Sequence, residues 1–157
     1  MKFKTDLKMG HKLETQIKNI LEEQYGMKIE HCSGSYQTEA ADLIDLETGV
    51  KFEIKKDETG IFKGTGNFGF EIMNFPSGDA SGLRKAYDEG VDYWVHCVPC
   101  RNTALVFKTK ELYEGLKDLW LDGKVQRVGN TVEGNSTLFV VSFELIAEHF
   151  NFIKIKI

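Results

Sequence analysis

The sequence predicts an α/β fold, a mixed β-sheet core flanked by α-helices. Three observations predict it. A helical period runs over residues 10–25. Two alternating runs, 41–47 and 50–56, flank a Thr48-Gly49 turn. Helix and strand patterns then follow one another beyond Pro76.

In the first element Leu13, Ile17, Ile20, Leu21 and Tyr25 recur at helical spacing, and Gly26 supplies the stop. Residues 27–33 read as a short strand before the polar loop GSYQTEA. The runs 41–47 and 50–56 make a β-hairpin with a two-residue turn. A third run, 68–73, sets Phe68, Phe70 and Ile72 against Gly69, Glu71 and Met73, which sends the first three into the core. Next comes a helix capped by Ser77 or Ser81 and ended by Gly90, then a buried strand at 91–98. A strand at 104–107, a helix capped by Thr109 and running to about 121, strands near 124–128 and 137–142, and a helix near 143–150 complete the reading.

At 157 residues, 41% hydrophobic and 11% aromatic, the chain is sized for one domain, 1–157, with no internal repeat or linker. No apolar run approaches a membrane span, the N-terminus lacks the apolar core of a signal peptide, and three cysteines have no framework spacing. Cytoplasm is the expected compartment, with no membrane partner. A net charge of −4 argues against a broad non-specific grip on nucleic acid, so a polyanion would need local contacts. Carboxylates that hold a cation contribute to such a total without excluding a nucleic-acid enzyme.

The hairpin carries the chemistry. A two-residue turn pairs residues whose numbers sum to 97, so Asp42 faces Lys55, and Asp42, Glu53 and Lys55 project from one face while Asp45 projects from the other. A three-residue turn would exchange Asp42 for Asp45. Two carboxylates beside a lysine suit Mg²⁺, a hard cation that takes oxygen ligands and keeps waters for exchange.

Asp42, ten residues, then Glu53-Ile54-Lys55 resembles the signature of the PD-(D/E)XK nuclease superfamily, whose core is a helix, a three-stranded antiparallel segment, a helix and a strand. Lys55-x-Asp57, Thr65-Gly66-Asn67, Glu71, Ser81-Gly82 and Asp92-Tyr93-Trp94 are similar to the motifs of its small phage-type members. Val91 replaces their usual small residue, and Ala41 stands where the superfamily's name has proline. The resemblance covers a core of about 10–99 and leaves 100–157 as an elaboration.

The resemblance implies a restriction-endonuclease-like fold and a metal-dependent DNA endonuclease, in host cytoplasm if phage-encoded. Asp42 and Glu53, with the Ile54 carbonyl, would hold Mg²⁺ or a substituting Mn²⁺, and Lys55 would orient a water. Glu14 and Glu71 are further ligand candidates. For Glu14 the structural alternative is an i,i+4 pair with Lys18, and for Glu71 an exposed strand position. Asp57 would support Lys55 or simply begin the loop. Thr65 and Asn67 would approach the substrate backbone, Ser81 and Gly82 would offer free N–H groups to phosphate, and Arg84, Lys85, Lys56 and Lys63 would add cations. Small size favours structure-directed cutting or nicking, as in Holliday-junction resolvases, for which a homodimer is expected.

Two rivals stand beside this: a non-catalytic nucleic-acid-binding module on the same fold, and a sugar- or nucleotide-directed enzyme. The second rests on Gly64-Thr65-Gly66-Asn67-Phe68-Gly69, a literal GxGxxG. That fingerprint needs a helix opening directly from it, whereas FGFEIM alternates as a strand, so no nucleotide cofactor is expected. His96, Cys97 and Cys100 would need His31 and Cys32 as a distant second pair to close a zinc site.

Overall fold

The structure, a computed structural model, describes residues 2–32, 40–57, 64–75, 77–131 and 134–157, without the side chains of 2–7, 9, 130, 131, 134 and 135. The loop at 33–39, Lys63 and Pro76 therefore lie outside the described residues. The fold is mixed α/β. Its helices are α1 (Lys2–Tyr25), α2 (Gly82–Asp88), α3 (Thr109–Leu121) and α4 (Phe143–His149). Its strands are β1 (Ile29–His31), β2 (Leu43–Asp45), β3 (Lys51–Lys56), β4 (Asn67–Asn74), β5 (Tyr93–Val98), β6 (Thr103–Lys108), β7 (Gln126–Thr131), β8 (Gly134–Ser142) and β9 (Ile153–Lys156). Among the described residues no helix is long and apolar enough to cross a membrane.

Six strands form one sheet in the order β1-β2-β3-β5-β6-β9. Among its described strands only β3 and β5 run parallel, joined through β4 and α2. The run at 68–73 does not enter this sheet. As β4 it pairs with β8 in a second, three-stranded antiparallel sheet, β4-β8-β7.

Alternation along the strands feeds two hydrophobic clusters. Phe52, Ile54, Val95 and Cys97 meet Ile17 and Leu21 of α1, the stripe that predicted the helix. On the other face Trp94, Leu105 and Phe107 meet Phe68, Phe70 and Ile72 of β4 and Leu83 of α2. The phenylalanines of β4 thus enter the core as their spacing predicts. Helix α1 reaches back to Lys2 because Gly10 inside a helix costs only about 1 kcal/mol relative to Ala.

Three local expectations need correction. The hairpin pairs Leu43 with Phe52 and Ile44 with Lys51, numbers that sum to 95. Its turn holds four residues, closed by Asp45 N–H to the Val50 carbonyl and Gly49 N–H to the Asp45 carbonyl, both 2.8 Å. The cause is Asp45, whose carboxylate accepts from the Thr48 hydroxyl at 2.5 Å and from the Lys28 amide at 3.1 Å. The loop is still even, so face parity survives, but the register ends with Leu43 opposite Phe52 and brings the Asp42 side chain to Glu53, not opposite Lys55.

Thr109 does not cap α3. It is the first helical residue, fully buried, with Lys108 in the cap position. The last strand, β9, escaped the sequence reading although Ile153, Ile155 and Ile157 alternate there.

Candidate functional site

Asp42 enters β2 with its amide bonded to the Phe52 carbonyl at 2.9 Å, while its carbonyl receives the Cys32 amide at 2.8 Å. These bonds hold its carboxylate at the β3 edge, where Oδ2 accepts from the Ile54 amide at 2.8 Å. A strand residue sends its N–H and C=O to the same edge, so the Ile54 carbonyl leaves β3 on the edge where its N–H meets Asp42. Lys55 Nζ lies 3.1 Å from Glu53 Oε1. The three residues of the motif therefore converge.

The electrostatics of this group are unusual for carboxylates. Burial pushes Glu53 up to about 8, against the pull of Lys55 and helped by the charge of Asp42. Burial likewise raises Asp42; the Ile54 N–H opposes the rise and the charge of Glu14 adds to it. The two carboxyl groups lie within hydrogen-bonding reach, so the proton belongs to the pair rather than to either residue. For Lys55, burial works downward, but 45% of the side chain is exposed and the Glu53 carboxylate prevails, holding the ammonium above its ordinary value. A protonated acid pair beside a charged lysine is poised to exchange its proton for a cation.

Glu71 and Glu14 join from other elements. Glu71, on β4, acts electrostatically on Lys55, and its Oε1 accepts from the Ser81 hydroxyl. That bond takes the hydroxyl away from capping α2. The Ser81 amide donates to the Ile72 carbonyl at 3.3 Å. Gly82 has a φ of +50°, and a Cβ there would meet the Glu71 carbonyl oxygen at 2.6 Å. The Ser81-Gly82 pair thus seats α2 on β4 and fixes Glu71, a role that alternation alone does not reveal.

On α1, Glu14 does not pair with Lys18, which bonds Glu22 at 2.9 Å instead. Its Oε2 lies 3.0 Å from His11 Nδ1 and 3.5 Å from His31 Nδ1. Sequence reasoning gave no role to His11; the available signal was His11-x-x-Glu14, one helical turn apart.

The remaining candidates lie around this cluster or apart from it. Asp57 is buried at the end of β3, its amide donating to the Cys97 carbonyl at 2.8 Å. Thr65 accepts from the Asn67 amide at 3.2 Å, and Asn67 opens a strand, in keeping with the alternation read there. Arg84 Nε is 3.7 Å from Asp88, and Lys85 Nζ is 3.9 Å from Glu89, so both cations have acidic neighbours on their own helix or at its end. His96 and Cys97 point to opposite faces and into different clusters, which disperses the zinc set. A groove of about 710 Å³ opens at the turn end of the hairpin, lined by Val50, Tyr87, Asp92 and Lys108 among others, and none of the clustered acids lines it.

No family model matches the chain, nor does any curated protein or solved structure. The geometry stands on its own.

Proposed function

We propose that this chain is a Mg²⁺-dependent DNA endonuclease of the restriction-endonuclease-like fold, cutting phosphodiester bonds in a structure-directed or nicking manner. One observation carries the reading: Asp42, Glu53 and Lys55 converge on one edge of β3, with Lys55 Nζ 3.1 Å from Glu53 and the Ile54 amide 2.8 Å from Asp42. The element order also supports it. Helix α1, antiparallel β1-β2-β3, α2 and then β5 follow the sequence of elements expected of that superfamily, with β4 of the second sheet inserted between β3 and α2.

The donor set fits a hard divalent ion: two carboxyl groups that burial leaves holding a proton, and a main-chain carbonyl on the same edge of the strand. Asp42, Glu53 and the Ile54 carbonyl would hold it. Mg²⁺ when bound supplies Lewis acidity at the scissile phosphate and a more acidic water. Asp42 and Glu53 must first release their shared proton, so the competent state is favoured by rising pH. Lys55, charged and partly exposed, orients the attacking water and stabilises charge developing on the phosphate. Glu71, fixed by Ser81, acts on Lys55 and helps keep it protonated.

The test incubates supercoiled plasmid, linear DNA and a four-way junction with the protein in Mg²⁺, Mn²⁺ or EDTA. Metal-dependent cutting by the wild type, lost in Lys55→Ala and Glu53→Ala, is expected. A wild type that binds DNA and cuts none of the three in either metal would sink the proposal and favour a binding module.

A further inference from the structure

A second group of ligand-type side chains lies outside the carboxylate pair. His11 and Glu14 occupy one face of α1, a turn apart, and His31 projects from the edge strand β1 beneath them. One donor atom from each residue lies within 4.8 Å of the other two. The two imidazole rings stand 5.5 Å apart at 59°, converging on the carboxylate rather than stacking.

We propose that His11, Glu14 and His31 form a binding site for a divalent transition-metal ion of the Zn²⁺ type, joining α1 to β1. Three arguments carry this. Ligands of one tetrahedral ion at about 2.0 to 2.2 Å are separated from one another by roughly 3 to 3.5 Å. Glu14 Oε2 already stands 3.0 Å and 3.5 Å from the two Nδ1 atoms. Next, the Nδ1 atom of His31 is buried and, beyond the 3.5 Å approach of Glu14, has no hydrogen-bond partner among the described residues, and a buried polar atom left unmatched is costly. An ion supplies its missing partner.

Finally, two imidazole nitrogens and one carboxylate are the donor set of open Zn²⁺ sites and suit borderline cations over Mg²⁺, which prefers oxygen alone. The side chain of His11 is 76% exposed, so the outer coordination positions open to water. The site differs in chemistry from the Asp42–Glu53 pair, and its ligands do not include that pair. Glu14 thereby serves this ion rather than Mg²⁺, and the inference holds whether or not the chain cuts DNA.

The experiment uses the full chain without a histidine tag, stripped of metal by chelation, and titrates it with Zn²⁺ by calorimetry and by competition with a chromophoric chelator, in millimolar Mg²⁺. One Zn²⁺ per chain is expected. Affinity should fall by at least about 10-fold in His11→Ala and in His31→Ala and stay unchanged in Glu53→Gln. Co²⁺ in place of Zn²⁺ should give visible absorption that vanishes in the same two variants. His11 is exposed, so its variant should fold as the wild type does, which circular dichroism checks. Absence of Zn²⁺ binding, binding that survives both histidine changes, or binding abolished by Glu53→Gln would each overturn the proposal.

Discussion

Asp42 and Asp45 stand three residues apart in one arm of the hairpin, and the two ends of that hairpin treat them in opposite ways. At the turn end Asp45 is only 3% exposed, yet it is held below the usual carboxylate range, first by the Thr48 hydroxyl and then by amides that include Lys28 and Glu47. At the open end Asp42 has the Ile54 amide but also two acidic neighbours, Glu53 and Glu14, and burial raises it. Burial prevails at Asp42 and the Thr48 hydroxyl with its neighbouring amides prevails at Asp45, which separates a carboxylate that still wants a cation from one that organises a turn.

The largest contrast should appear in cutting. Lys55→Ala and Glu53→Gln are expected to slow metal-dependent cleavage by about 100-fold or more while the fold persists, because they remove charge stabilisation at the reacting phosphate. Asp45→Asn should leave the rate within a few-fold. Rates measured on the preferred DNA under single-turnover conditions check this; loss of cutting in the Asp45 variant alone would erase the distinction between the two ends.

A pH series sharpens it further. The pKa of Glu53 in the folded chain, about 8, exceeds its unfolded value of 4.5. Its contribution to the stability of the metal-free protein is therefore complete below about 4.5 and lost as pH rises through about 8, an effect on the order of a few kcal/mol. His96 acts with the opposite sign. Buried against Phe68 and Phe70, with both ring nitrogens unpartnered among the described residues, it is pushed down to about 4, so it costs stability as pH falls from 6.5 toward 4. Urea midpoints followed across pH should flatten on the alkaline side in Glu53→Gln and on the acid side in His96→Phe. Unchanged profiles would mean that neither burial governs titration.

Smaller effects concern what seats the acids. Gly82→Ala forces a side chain onto a left-handed φ and against the Glu71 backbone, and should cost about 2 to 3 kcal/mol in denaturant unfolding. Asp45→Ala, which leaves the Thr48 hydroxyl and the Lys28 amide without their acceptor, should cost about 1 to 2 kcal/mol by the same measurement. A neutral result at Gly82 would deny that its close approach fixes Glu71.

Much of this site was legible in the residues. The helical stripe of α1 and the two strands of the hairpin were read in place, and the parity that gathers Asp42 with Glu53 and Lys55 survived an error in turn length, because both turns hold an even number of residues. The register did not survive. It depends on bonds from Thr48, and from Lys28 seventeen residues away, to the Asp45 carboxylate. The His11 and His31 pairing with Glu14 spans α1 and β1, and no local period carries it.

What the sequence determined by itself was which side chains share a face, since alternation along a strand is a property of the covalent chain. Only the tertiary structure decided which faces meet. The run at 68–73 has the pattern of any strand, and its partner is β8, some seventy residues on, whose pairing takes it out of the hairpin's sheet and lays it across the face that carries Glu53 and Lys55. That long-range pairing, stabilised by burial of Phe68 and Phe70 against Trp94 and Phe107, brings Glu71 to Lys55, and hydrophobic burial names no partner in advance.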